Sequence, residues 1–248
     1  MGDGIYSALS GAVAQQRSLD VVANNVANAR TSAFRGDRVA FEEALAQQPR
    51  NPPEADELRF VAVARVQTDA RSGSYEQTGN PLDLALNGDG FLAIETPQGE
   101  RYVRAGSMVQ DPGGFIVTQQ GHRVLGMPPT PDLDPVPIRL PPEAMEVEVS
   151  PTGVVVADGI EVGTLRLVRF DEDNPVRKEG LNLFVGEAPL HDDVTEVMQG
   201  YLESSNVNAV AGMHELITLT RSFEALQKVI DTFRTLDDRA ARDLGRRG

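Results

Sequence analysis

Residues 5–26 read IYSALSGAVAQQRSLDVVANNV, and their spacing sets the plan of the chain. Ile5, Leu9, Ala12, Gln16, Leu19, Ala23 and Val26 alternate steps of four and three. That is a seam of period 3.5, the spacing of helices that pack knobs into holes. Ala12 and Ala23 imply a closely approaching partner, although an amphipathic helix on an ordinary core satisfies the same pattern. Gly11 costs about 1 kcal/mol of helix propensity against Ala. The far end mirrors this: Ala209, Gly212, Leu216, Leu219, Phe223, Leu226, Ile230 and Phe233 step by three and four, and Val229 and Leu236 widen the stripe. Glu224 and Lys228 form an i,i+4 pair beside it. Ser204, Ser205, Asn206 and Asn208 are candidate N-caps for a helix from about Val210 to about Asp243, roughly 50 Å long.

Between the ends the grammar changes. Pro49, Pro52 and Pro53 break the first segment. From about Phe60, short apolar runs alternate with turn residues. Phe91–Glu95 and Arg101–Arg104 flank Pro97-Gln98-Gly99; Phe115–Thr118 and Val124–Met127 flank Gly121; Met145–Val149 and Val154–Val156 flank Pro151-Thr152-Gly153; Leu165–Phe170 alternates. Turn signals about every ten residues predict antiparallel β structure. Residues 128–142 hold seven of the sixteen prolines and read as an extended crossing. The expected fold is α+β: long N- and C-terminal coiled-coil-type helices flanking a central antiparallel all-β domain. The expected divisions are a helix and exit segment at 1–48, a linker at 49–59, the β domain at 60–200 and the C-terminal helix at 201–248.

The 248 residues include no Cys, no Trp and three His, which excludes disulfides, thiolate metal sites and thiol catalysis. A net charge of −14 argues against nucleic acid. Residues 1–48 carry four basic and five acidic side chains, residues 200–248 seven of each, and residues 49–199 twelve against twenty-five. The acidity lies in the middle, so the near-neutral ends repel one another little and suit association. No apolar run is long enough for an integral membrane segment, and no cleavable leader is visible at the N-terminus.

Chemistry-bearing patterns are sparse. Asn87-Gly88-Asp89-Gly90 superficially resembles a calcium loop but lacks the later Glu, so it reads as a tight turn. Asp171-Glu172-Asp173-Asn174 reads as a solvated turn. His191-Asp192-Asp193 is the one local His–carboxylate cluster, and His214 reads as a helix-surface residue. No phosphate cradle, nucleophile elbow or zinc-protease motif occurs. The expectation is no enzyme, no cofactor, no catalytic residue and no metal. Asn24, Asn25 and Asn28 lie off the apolar seam, on a solvated face or on a second, polar packing face.

Ala23-Asn24-Asn25-Val26-Ala27-Asn28-Ala29-Arg30-Thr31-Ser32-Ala33-Phe34-Arg35 resembles the N-terminal signature of the flagellar basal-body rod and hook proteins. Thr78-Gly79-Asn80-Pro81-Leu82-Asp83-Leu84-Ala85-Leu86-Asn87-Gly88-Asp89-Gly90-Phe91 is similar to that family's central motif. Tyr102-Val103-Arg104-Ala105-Gly106 is similar to its next strand and turn. Ser205-Asn206-Val207-Asn208 and Arg221-Ser222-Phe223-Glu224-Ala225 resemble its C-terminal signature. The resemblance spans the chain in order and departs at Ala33, where the family usually has Gly.

Length points within the family to the proximal-rod branch, with the distal rod as the alternative. A carbohydrate-acting or carbohydrate-binding β domain with helical arms is the reading of another class. A deep cleft lined by convergent carboxylates would favour it. The resemblance implies a structural axial component of the basal-body rod. It implies passage through the flagellar type III export apparatus, and assembly with copies of itself and other rod proteins through the terminal helices. Lack of Cys suits a chain exported unfolded. The terminal helices are expected to order fully only when neighbouring subunits cover them, because ordering costs roughly 1–2 kcal/mol per residue.

Overall fold

The structure, a computed structural model, describes residues 2–46, 58–104, 106–128, 130, 133–171, 174, 176–180 and 182–245. The breaker at 49–53, most of the 49–59 linker, Ala105, Glu172, Asp173 and Pro175 therefore lie outside the described residues. The chain divides into two compact units: residues 1–29, 36–69 and 207–248 form one, and residues 30–35 and 70–206 form the other.

The first unit holds helix α1 (Gly2–Ala27), the strands β1 (Asp37–Ala46) and β2 (Leu58–Thr68), and helix α2 (Ala209–Gly245). β1 and β2 form an antiparallel two-stranded sheet, Asp37 opposite Thr68 and Ala46 opposite Leu58, with a bulge at Ala40/Phe41. Such a ribbon is marginal alone; this one lies against α1. The sequence reading opened the β domain at residue 60. Residues 60–68 pair instead with β1 inside the helical unit.

α1 and α2 run antiparallel: Gly11 lies beside Leu226, Gln15 Nε2 donates to the Leu219 carbonyl, and Gly212 lies beside Val26. The expectation of long coiled-coil-type helices is corrected here. Among the described residues there are two helices, and α1 buries its predicted seam only in part. Leu9, Gln16 and Ala23 are exposed, while Ala12, Ala14, Ser18 and Val22 are buried. Most of that buried set, Ala14, Ser18 and Val22, lies nearly half a turn away from the exposed seam positions. The cause is that α1 has two neighbours, α2 and the β1–β2 ribbon, so its small residues turn toward the angle between them. α2 has a single stripe: Gly212, Leu216, Leu219, Phe223, Leu226, Ile230 and Phe233 are half-buried and their neighbours mostly exposed.

The second unit is β-rich. Its main sheet has twelve strands, all ladders antiparallel, with a three-stranded sheet (Val147–Val149, Val154–Ala157, Ile160–Thr164) and a two-stranded one (Tyr75–Gln77, Tyr201–Glu203). Strands Phe91–Thr96 and Gly99–Val103 join at the Pro97–Gln98 turn. Within 128–142, Val136–Pro137 pairs at an edge with strand Arg123–Gly126, and Ile138 and Leu140 enter the core. That core contains Leu84, Leu86, Leu92, Ile94, Met108, Ile116, Val124, Val155 and Leu165. A second cluster gathers Phe91, Tyr102, Val168 and Phe184.

Ile94 has no exposed surface and Val109 is exposed. Ile94→Ala is expected to lower the unfolding free energy by about 2–5 kcal/mol, through lost transfer energy and a cavity. Val109→Ala should change it by under about 0.5 kcal/mol. Urea unfolding followed by circular dichroism checks both.

Candidate functional site

The residues singled out in the sequence fall into three places. On the helices, Leu216, Leu219, Phe223, Leu226, Ile230 and Phe233 share the α2 stripe. From α1, Ala12 is buried, Ile5, Leu19 and Val26 are half-buried, and Leu9 and Ala23 face outward. Arg221 is exposed. Asn208 caps α2, its Oδ1 accepting from the Ala211 N–H at 3.0 Å.

The amide row closes α1. The Asn28 Nδ2 donates to the Asn24 carbonyl and to Asn24 Oδ1 at 2.9 and 3.1 Å, beside the Asn28 N–H that donates to the same carbonyl at 3.1 Å. Asn25 does something different. Its Nδ2 donates to the Asp37 carbonyl at 2.7 Å, and its Oδ1 accepts from the Asp37 N–H at 2.9 Å. One side chain thus satisfies both backbone groups of the residue that opens β1.

The other motif residues meet in the β unit. Thr78 Oγ1 and Asn80 Nδ2 donate to the buried Asp83 carboxylate at 2.7 and 2.8 Å, and Gly79 adopts φ +73° in the same turn. Ala33 holds φ +55°, a left-handed conformation that costs a residue with a Cβ about 1 kcal/mol. It is buried, and its N–H donates to the Glu203 carbonyl at 2.7 Å. Phe34 is buried beneath Lys178, whose Nζ lies 3.8 Å from the ring centroid. Asn206 Nδ2 donates to the Arg71 carbonyl, and the Asn206 N–H to the Phe34 carbonyl. Ser205, which precedes Asn206, is half-buried.

Gly88 and Gly90 leave space for side chains. A Cβ at Gly88 would stand 2.5 Å from Thr195 Oγ1, and one at Gly90 2.2 Å from Asp192 Oδ2. Their carbonyls accept from the Arg104 guanidinium, Gly90 at 2.6 Å. The Asn87–Gly90 stretch is thus a turn wrapped on Arg104 and Thr195, and Asp89 points to solvent.

Sequence reasoning missed the charges at the centre of this arrangement. Arg104 and Glu203 are each 1% exposed, and Arg35 is buried beside them. Glu203 lies 3.8 Å from Arg35 and 3.7 Å from Arg104. Its Oε1 accepts from the Gly73 N–H at 3.1 Å, Ser72 Oγ receives both arginines, and Arg35 also donates to the Ala70 carbonyl. Burial and the charge of Arg104 push Arg35 below the ordinary guanidinium value, against the opposing pull of Glu203. The available signal was a lone charge at the end of an apolar run, as in Tyr102-Val103-Arg104 and Tyr201-Leu202-Glu203.

A cavity of about 570 Å³ opens in the β unit between Thr31, Met108, Gln120, His122 and Asn182. Among the described residues its wall has one carboxylate, Glu179, already paired with Arg101. That is not the convergent acid pair of a glycoside-cleaving cleft.

The comparisons match this layout. Residues 5–35 match the family described as flagella basal body rod protein, residues 85–157 the flagellar hook protein FlgE/F/G D1 domain, and residues 198–243 the flagellar basal body rod FlgEFG protein C-terminal. The flagellar basal-body rod protein FlgF of Caulobacter vibrioides is 33% identical over 249 residues, 99% of each chain. The chain belongs to the flagellar basal-body rod protein family. It is FlgF-like, a structural component of the rod rather than an enzyme. FlgF of Escherichia coli is 33% identical over 98% of this chain and 97% of its own. FlgG of Agrobacterium fabrum is 34% identical over 91% and 93%. In this rod protein the three matched regions contain the α1 amide row, the Gly88–Gly90 turn with Arg104, and Glu203 with α2.

Asp192 packs against the Gly88–Gly90 turn. It is buried; its Oδ2 accepts from Thr195 Oγ1 at 2.5 Å, and its Oδ1 from the Val194 and Thr195 N–H groups at 3.0 and 3.2 Å. Burial alone raises its pKa, but the three hydrogen bonds outweigh that and hold it below the ordinary Asp value. A carboxyl with a depressed folded pKa adds stability above its unfolded value, near pH 4, and loses it as pH falls through the folded value. Asp192→Asn is expected to cost about 1–3 kcal/mol at neutral pH. Its urea midpoint should also fall less steeply than wild type on acidification from about pH 5.

Proposed function

We propose that this chain is a proximal-rod subunit of the flagellar basal body. It leaves the cytoplasm through the flagellar type III export apparatus. It then assembles in the periplasm with copies of itself and with other rod proteins, and passes torque along the rod. The supporting observation is the end-to-end similarity to FlgF relatives, together with a helix pair that leaves apolar side chains uncovered. The assembly surface is formed by α1 and α2, through Ile5, Leu9, Ala12, Leu19, Ala23 and Val26 on one and the Leu216–Phe233 stripe on the other. The terminal helices reach full order only inside the rod, since each has one face covered within the subunit. The motif residues of the β unit hold the crossings of the chain in place. A distal-rod role is the second reading, favoured by the 34% identity to a FlgG over 91% of this chain.

Leu226 packs beside Gly11. Leu226→Asp places a charge beside Gly11 of α1 and Leu19→Asp one at a half-buried position of α1, each at a cost of about 2 kcal/mol or more. Cells carrying either variant as their sole copy are expected to be non-motile on soft agar, with the variant still made and its strand signal in circular dichroism intact. Normal swimming by both would remove the helix faces from rod assembly.

A further inference from the structure

We propose that the cavity of the β unit binds an N-acetylated, acid-bearing amino sugar, with Gln119, Gln120 and His122 holding its hydroxyl and acetamido groups and Arg30 its carboxylate. This is a glycan-binding site that assembly through the helices does not require. Every lining residue belongs to the β unit, and the volume of about 570 Å³ falls inside the range of about 300–1,000 Å³ of small-molecule sites.

The buried part of the wall is apolar and the exposed part polar. Val103 and Met108 are buried, and Leu183 and Leu202 half-buried. They offer an apolar surface to the C–H face of a sugar ring and to an acetyl methyl. The polar part comes from the turn between strands Ile116–Thr118 and Arg123–Gly126. That turn closes on itself: the Thr118 N–H donates to the His122 carbonyl, and the Gly121 N–H to the Thr118 carbonyl, both at 2.8 Å. The His122 N–H donates to Thr118 Oγ1 at 3.2 Å, and Gly121 takes φ +85°. These bonds use backbone groups and one hydroxyl. The side chains of Gln119, Gln120 and His122 line the cavity and make no hydrogen bond within the chain among the described residues. Each amide offers both donors and an acceptor, and a neutral imidazole one of each, the complement of hydroxyl and acetamido groups. A turn already fixed costs little backbone ordering on binding.

Charge selects within that class. Among the described residues the wall has one carboxylate, Glu179, and Arg101 already pairs with it. Arg30 is exposed at the wall and has no ion pair among the described residues. One guanidinium suits one carboxylate, which it takes through two parallel N–H donors. The segment that carries Arg30 is held in place, since the Ser32 carbonyl accepts from Asn182 Nδ2 at 2.9 Å across the same cavity wall. With its single acid paired, the wall has no acid–base couple to cleave a glycosidic bond, so the sugar is bound and not cut. N-acetylmuramic acid of the cell wall carries this set of groups. That choice of sugar rests on the periplasmic rod reading; the class of ligand does not.

The test is a saturation-transfer NMR titration of the full-length chain with three disaccharides. The first joins N-acetylglucosamine to N-acetylmuramic acid, the second is N,N′-diacetylchitobiose, which lacks the carboxylate, and the third is cellobiose, which lacks the acetamido groups as well. The first should bind saturably, the second roughly tenfold more weakly and the third more weakly again, as each loses a polar partner. Arg30→Ala should abolish the difference between the first two. Gln120→Ala and His122→Ala should each weaken both by about tenfold, because their side chains hold nothing else in the fold. Val109→Ala, exposed and outside the cavity, should bind like wild type. Absence of saturable binding by either N-acetylated sugar overturns the proposal, as does binding unchanged in the Gln120→Ala, His122→Ala double variant. Cellobiose binding as well as the other two overturns the ligand class. The rod reading is tested separately, by motility with Leu226→Asp, and stands or falls without this site.

Discussion

Two buried guanidiniums share one buried carboxylate in the β unit, and the course of the chain there depends on that arrangement. Glu203 lies between Arg35 and Arg104 without a close fork-to-fork pairing; Arg35 Nε, Arg104 Nε and Glu203 Oε2 make no hydrogen bond among the described residues. Replacing such a group by apolar residues is often neutral, whereas removing one partner leaves an uncompensated charge. Its value here is positional. Arg35 ends the segment 30–35, Ser72 and Gly73 open the segment that begins at residue 70, and Glu203 stands three residues before the last passage at 206–207. Three stretches distant in sequence are fixed to one another by one carboxylate, with Gly88 and Gly90 bound to the same Arg104.

The helical unit follows a different rule, that of close approach. Gly11, Ala14 and Ser18 keep α1 thin on the side where α2 and the β1–β2 ribbon meet it, and Asn25 fixes the ribbon's start by its two backbone bonds. The same thinness leaves Leu9 and Val13 without a partner inside the subunit. An exposed apolar patch is a liability in a free monomer and an asset in a polymer.

Some of this was legible in the sequence. The α2 stripe was, because one helix face with one neighbour produces one period. The α1 seam misled, because two neighbours at an angle select Ala14, Ser18 and Val22, which have no strong hydropathy signal. The β1–β2 ribbon was hidden because Asp37–Ala46 mixes Glu42 and Glu43 with apolar residues without clear alternation, and the proline run at 49–53 reads as a linker. Turns announced by Gly and Pro, such as Pro97–Gln98, were readable since their backbone chemistry is local. Buried charges were not, because Arg35, Arg104 and Glu203 look like surface residues until three remote segments bring them together. Asp192 read as part of a local His–carboxylate cluster; its oxygens are taken up by Thr195 and Val194.

Hydrogen exchange on the folded chain tests the role of Glu203 most directly, comparing wild type with Glu203→Gln. The account predicts that the amides of Ala33, Gly73 and Ser204 lose protection together, by about 3–5 kcal/mol, since two buried guanidiniums are left without their anion. Those amides donate to the Glu203 carbonyl, to Glu203 Oε1 and to the Ser74 carbonyl, while the amides of Phe91–Thr96 should stay protected. Loss confined to Gly73, with Ala33 and Ser204 unchanged, would show that the carboxylate serves one hydrogen bond and does not hold the three segments together.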